Sequence, residues 1–558
     1  MSRSLTPDSS LENVRKDAKR WLKALRAGDA GARRRLLAAL SDAPAEPNLR
    51  DVQLALAREY GFPGWTKLRH ALDDLSLARR SHAERVETVL RSATWQGDRG
   101  TATRLLRRWP EIGAANLYTA VSTGNLAEVE RCLAADPGAA SRNGGPLERE
   151  PLLYLAYARL PGGEHHSVGI ARLLIEHGAD PNAQWIGPWG EPAFTVLTGV
   201  IGEGEGIQPP HPEAGGLAAL LIERGADPYD RQALYNTSIV GDEVLWLEFL
   251  WDQSERRGRL DAWHKVEPAT QIAAAAPLDY LLGNAVSQNH LARAGWLLAH
   301  GANPDSAHAY SHRAQREEAL VDGYLEMAEL LVRHGAGTPA LTGSAAFRAA
   351  CMRLDREAAR MLLQRHPEFL AGPEPMLTAA RGGRADVVAL LLQLGVDVDV
   401  ADETEQRALQ NAVMSGSLET VRLLVAHGAD IDRPTKQYGG AMGFAAHFDR
   451  REIAAFLAPL SRDVHNLTYL GMKDRLGELF AADPTLVNVR HLKLGFTPLF
   501  ALPANDDDAI DMASFLLSHG ADRAIVNGDG LTAEELLRKE ERMEIAEFLH
   551  DARPGGRF

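Results

Sequence analysis

The sequence predicts an all-helical solenoid of stacked helix-turn-helix units, on three observations. A Leu/Ile-rich helix end running into a turn recurs seven times: LLIEHGADPN ending at Asn182, LLIERGADPY at Tyr229, WLLAHGANPD at Asp305, LLVRHGAGTP at Pro339, LLLQLGVDVD at Asp399, LLVAHGADID at Asp432 and FLLSHGADRA at Ala524. Two of the intervals between their glycines are 34 residues (Gly301 to Gly335) and 33 residues (Gly395 to Gly428), and a fixed period of this size marks a repeat architecture. The chain, at 558 residues, exceeds what one hydrophobic core usually serves, so units that pack only on their neighbours are favoured.

Residues 1–80 read as an N-terminal helical module. VRKDAKRWLKALRAG, ARRRLLAAL, LRDVQLALAREYG and WTKLRHAL carry helical patterns, broken by a proline-containing linker at Asp42 to Asn48. Basic residues cluster here (Arg15, Lys16, Lys19, Arg20, Lys23, Arg26, Arg33, Arg34, Arg35) against Asp17 and Asp29. A contact with an anionic polymer is conceivable, but such runs on helices are usually solvated faces.

Residues 81–558 read as the array, about thirteen units. In each unit paired Leu or Ile residues form the buried stripe of a short helix. Glycine follows because the residue past a helix end often takes a left-handed conformation. Asp or Asn and Pro then make the turn into the next unit. MLLQRHPEFLAG, CLAADPGAASRNG and ELFAADPTLVNV follow the same logic with proline in the turn. The array is irregular, with an insertion, over 185–320, and Thr532 with Glu535 three residues later forms a capping box that opens a C-terminal cap over 528–553.

These HGAD-type loops at this period resemble the ankyrin-repeat family over more than four fifths of the chain. EPLLYLA, APLDYLL and TPLF keep parts of that family's TPLH helix start, but its histidine is missing, which puts the usual bonding between repeats in doubt. REYGFPGWTKLRHAL and QALYNTSIVGDEVLWLEFL are similar to segments of bacterial ankyrin-array proteins, with no implied activity. What the resemblance implies for function is a protein partner held along the concave groove of turn tips and first helices.

Composition sets limits on the partner. A formal charge of -14 argues against a nucleic-acid backbone, which requires a clustered cationic surface, and fits a basic or mixed protein surface. Cys132 and Cys351 exclude a disulfide framework and suit a reducing compartment. The start lacks a secretory signal and no apolar run is long enough to span a bilayer, so the expected location is the cytoplasm.

Chemistry-bearing motifs are weak. Five loop glycines follow histidine (His177, His300, His334, His427, His519); successive repeats carry these side chains apart, so each is read as bonding the last carbonyls of its own helix. His308 and His312, four apart, would share a helix face, yet no HExxH glutamate or cysteine pair accompanies them, and no metal or cofactor is expected. GEGEG at Gly202 to Gly206 follows no strand and reads as an inserted loop rather than a phosphate cradle.

Six of the ten tryptophans fall between Trp185 and Trp296. Trp and Tyr are enriched at binding hot spots, so Trp185, Trp189, Tyr229, Tyr235, Trp263, His308, Tyr310 and His312 are the candidate partner-binding residues. The expected function is a non-enzymatic scaffold or regulator. The alternative is an enzyme or small-molecule binder with a pocket near 185–312, where His211, His264, Glu203 and Glu205 would supply acid-base groups.

Overall fold

The structure is a computed structural model that describes the chain apart from residues 1–2, 7–8, 42, 46, 48, 95–96, 161–165, 188–189, 205–207, 240, 267–275, 437–438, 492–494, 541 and 552–558. The described residues form two compact units, Asp74–Leu341 on the one hand and Met1–Asp73 with Thr342–Phe558 on the other. The N-terminal helices Leu11–Arg26, Ala30–Ala39 and Leu49–Glu59 thus group with the C-terminal repeats rather than standing alone.

In Asp74–Leu341 seven helical hairpins follow one another, from His82–Ser92 with Arg99–Arg108 to Gln315–Asp322 with Leu325–Arg333. First helices pack on first helices: Leu117–Thr123 on Pro151–Tyr157, Pro151–Tyr157 on Val196–Ile201, Pro277–Ser287 on Gln315–Asp322. Second helices pack likewise, Ser167–Glu176 on Ala214–Glu223 and Leu291–Ala299 on Leu325–Arg333. Neither helix of a hairpin could bury its apolar stripe alone, and the stacked stripes form one continuous core. Thr342–Phe558 repeats the arrangement; Glu374–Arg381 packs on Ala408–Ser415 and that helix on Ala441–His447.

The repeat loops carry a serial bonding pattern. The Asp or Asn at the third loop position caps its own turn, as Asp180 accepts from Asn182 N (2.8 Å) and Asp397 from Asp399 N (3.0 Å). The Asn or Asp at the fifth position reaches the next repeat. Asn182 Oδ1 accepts from Asp227 N (2.9 Å) while its Nδ2 donates to Gly225 O (3.0 Å). Asn488 repeats both bonds with Asp522 N (2.8 Å) and Gly520 O (2.9 Å). Asp305 accepts from Gly337 N (2.8 Å) and Asp399 from Asp430 N (3.2 Å). The loops therefore clasp one another in series.

The histidines behave as expected at four of five positions: Nδ1 of His177, His300, His427 and His519 lies 2.7–2.9 Å from the carbonyl oxygen four residues earlier. Gly428 has φ of 89° and nothing stands within 4 Å of an added Cβ, so only the backbone resists substitution. Gly428→Val is expected to cost about 1–2 kcal/mol, read as a lower midpoint in thermal unfolding of the full chain. An unchanged midpoint would contradict the left-handed turn. Thr532 and Glu535 make the expected reciprocal capping box.

One departure from an all-helical reading is the antiparallel hairpin Gln184–Gly187 with Gly190–Thr195. It extends a repeat turn, and the pair Trp185 and Phe194, opposed in register, stack at 4.8 Å. Aromatic pairing across strands gives this short ribbon a stability its length alone would not supply.

Candidate partner-binding face

Three tyrosines come from three successive repeats of Asp74–Leu341. Tyr235 lies on Arg231–Ile239, Tyr280 on Pro277–Ser287, and Tyr310 in the turn before Gln315–Asp322. The first two helices pack directly together. Tyr280 Oη lies 3.3 Å from Tyr310 Oη. Burial, then the Tyr310 hydroxyl, and to a lesser degree nearby Tyr235, push the Tyr280 phenol well above its ordinary range. Tyr310 itself is 63% exposed.

The turn that presents Tyr310 is held rigidly. His308 is buried, and its Nδ1 accepts from Tyr310 N (3.3 Å) and Ser311 N (3.1 Å). Ser311 Oγ donates to Glu318 Oε2 (2.8 Å), which also meets Arg313 Nη1 at 3.3 Å. Backbone pairing of Ala307 with Ala314 closes the loop. His308 and His312 therefore sit on a turn, correcting the helix-face reading. His312 is exposed at φ of 58° and its N donates to His308 O (2.9 Å).

The other candidates divide. Trp263 is fully buried; its Nε1 donates to Ser254 Oγ (3.0 Å), and its ring lies edge-on 5.3 Å from Trp251 and 6.0 Å from Tyr229, with Trp296 at 6.5 Å. That burial removes Trp263 from any contact surface: the irregular repeat fills its core with aromatic rings where regular repeats use leucine. Tyr229 is half-buried against this cluster. Trp185, also half-buried, carries the Arg149 guanidinium 3.7 Å over its ring, while its neighbour Ile186 is 60% exposed. Trp189 and Glu205 lie outside the described residues.

Two of the cavities among the described residues of this unit bear on these groups. One, of about 330 Å³, is lined by Glu203, Pro210, Thr237, Glu243, Leu245 and Trp246 among others. Desolvation pushes the Glu203 carboxyl up to about 7 against the opposing pull of Arg293. The buried Arg293 guanidinium donates to Glu243 O (2.7 Å) and Thr237 Oγ1 (3.4 Å). The other cavity, of about 350 Å³, holds His211 with Ser122, Thr123 and Ser167. His211 and Glu203 line different cavities, and the exposed His264 lines neither.

Sequence reasoning passed over the polar groups that fix this region. Arg159, buried, donates to the carbonyls of Pro209 (2.7 Å), Ala156 (2.8 Å), Ala158 (2.9 Å) and Gly199 (2.5 Å), tying the inserted loop to two repeats. Asp230, also buried, accepts from Thr195 and Thr198 hydroxyls and from Ala233 N (2.9 Å). A lone arginine without a carboxylate nearby in sequence gives no signal of such a role. Among the described residues no group of three or more His, Cys, Asp or Glu is placed to hold a metal ion, and no helix is long and apolar enough to cross a membrane. Cys351 is buried, which pushes its thiol up to about 12, and Cys132 is half-buried with its thiol donating to Glu128.

Serial hairpins with glycine-closed loops and a loop-to-loop clasp define the class, a helical repeat array. Within that class, residues 348–435 and 376–468 match the family model of ankyrin repeats (3 copies), so this part of the chain carries ankyrin repeats. The chain is similar to the putative ankyrin repeat protein YahD of Escherichia coli, 29% identical over 192 residues, 32% of this chain and 94% of that one. It is also similar to a transient receptor potential cation channel subfamily A member 1 homolog of Caenorhabditis elegans, 35% identical over 118 residues, 20% of this chain and 10% of that one. Among these relatives the chain thus spans nearly all of the first and a tenth of the second. A solved structure described as the Bd0816 predatory endopeptidase of Bdellovibrio bacteriovorus in complex with immunity protein Bd3460 aligns with a TM-score of 0.26 and 23% identity, covering 32% of this chain and 97% of that one.

Proposed function

We propose that the chain is a scaffold or regulator that holds a protein partner along the concave face made by first helices and turn tips, centred on the repeats that carry Tyr235, Tyr280 and Tyr310. The observation that carries this reading is Tyr310, solvent-exposed on a rigid turn and bonded through its hydroxyl to Tyr280 on the neighbouring first helix. A fixed aromatic side chain offers contact area at low entropic cost, and ankyrin repeats generally mediate protein-protein interaction. Trp185, with exposed Ile186, would extend the strip along the inserted hairpin, His308 would position Tyr310, and His312 and Tyr229 would flank it. The charge of -14 favours a partner with a basic or mixed surface. The reading includes a bacterial-type, cytoplasmic protein that catalyses no reaction, and a helical module over 1–80.

Tyr310→Ser and Tyr280→Ser are expected to weaken partner binding about tenfold or more, the loss typical of a truncated hot-spot aromatic. Tyr310→Ser should leave thermal stability nearly unchanged because the ring is exposed. Titration of each variant with the purified partner checks this. A second reading, a small-molecule site, rests on the Glu203 carboxyl in its cavity. If Glu203→Gln abolishes function while both tyrosine variants retain it, that reading replaces the first.

A further inference from the structure

The basic helix of the N-terminal module meets an acidic face at the far end of the chain. In the unit formed by Met1–Asp73 and Thr342–Phe558, Arg15 pairs with Glu544, both side chains 17% exposed. The adjacent Lys16 lies 3.7 Å from Glu547, and one helical turn on Lys19 Nζ donates to Glu544 O (3.3 Å). Near the other end of the same helix Arg26 Nη1 donates to buried Ser514 Oγ (3.0 Å), and helix Leu49–Glu59 packs on Asp506–Ser518. The residues engaged belong to the second helices of the last two hairpins, Asp506–Ser518 and Met543–Asp551. Ile510 and Ser514, one turn apart on the first of these, are both buried.

We propose that this contact is an ionic clasp, a conformational device in which the N-terminal helices cover the outer face of the last two hairpins and are released when the charges are screened. The closed form withholds two surfaces together: the Arg15, Lys16 and Lys19 row of the basic helix, and the outer face of the terminal repeats. Counter-charges for the cations of this helix come from Glu544 and Glu547 across the contact, and for Lys16 also from Glu12 on its own helix (2.5 Å). The clasp's charge pairs remain partly solvated, so their share of the contact is weak and sensitive to ionic strength.

Hydrogen exchange on the full chain tests it. Raising salt to about 1 M, where screening acts over about 3 Å, is expected to speed exchange in Leu11–Arg26 and Met543–Asp551 while leaving Ala408–Ser415 unchanged. The variant Glu544→Lys/Glu547→Lys should speed it about tenfold at low salt, the loss expected of a small group of partly exposed pairs. Adding Arg15→Glu/Lys16→Glu to that variant should restore slow exchange, because the pairs re-form with signs exchanged; this also separates clasp opening from simple misfolding of the last hairpin. Unchanged exchange in the first variant, or failure of the swapped variant to recover, would overturn the proposal.

Discussion

Trp263→Ala is expected to lower the stability of Asp74–Leu341 by about 3–5 kcal/mol, the cost of emptying a large, fully buried aromatic site. The ring is in contact with three other aromatic side chains at 5.3–6.5 Å and anchors Ser254 Oγ through its indole N–H. Removing it leaves a cavity where Trp251, Trp296 and Tyr229 converge, and interiors packed to crystal density relax only partly into such a space. Its short helix Asp261–His264 packs on Pro277–Ser287, the helix that carries Tyr280, so the loss should reach the proposed binding face. Chemical denaturation of the wild type and variant measures the difference. A change below about 1 kcal/mol would mean that the cluster is loosely packed, contrary to the burial of Trp263.

Arg159→Met comes second, with an expected loss of about 3 kcal/mol, the scale of breaking a buried charged network by removing one partner. Methionine approximates the stem of the side chain but leaves carbonyls of Ala156, Gly199 and Pro209 without their donor. Desolvation pulls the Arg159 guanidinium down to about 10. Because Pro209 and Gly199 flank the inserted loop, the variant should loosen that loop first. Faster hydrogen exchange over Val196–Ile201, with Leu325–Arg333 unaffected, is the expected pattern. Equal exchange in both helices would remove Arg159 from its tethering role.

Much of the array was legible because its physics is local and periodic. Gly178, Gly301 and Gly428 each require a left-handed turn, and Leu174, Leu297 and Leu424, four residues before them, mark the stripe that must be buried, so glycine and leucine spacing suffices to locate the hairpins. The clasp between loops was also written in the letters, since Asn182, Asp305 and Asp399 occupy one loop position; its meaning required knowing that the next loop offers an N–H there. The aromatic middle was not legible in the same way. Trp263 and Tyr310 are both large aromatic residues outside any repeat period, and only the packing of distant segments buries one and exposes the other. His308 and His312 looked like a helix pair because spacing alone cannot register the Ala307 to Ala314 pairing that turns the chain back. The engagement of the basic helix with Glu544 and Glu547 spans 525 residues or more, a separation no local pattern encodes.

The binding face is tested most directly by placing a photo-crosslinking amino acid at Tyr310, and in a matched sample at Leu325, which is 43% exposed on a second helix of the same hairpin series. Irradiation in living cells followed by identification of the joined peptide is expected to give a discrete protein adduct from position 310 and none from 325. Equal labelling at the two positions, or an adduct from 325 alone, would contradict a partner docked on the tyrosine face.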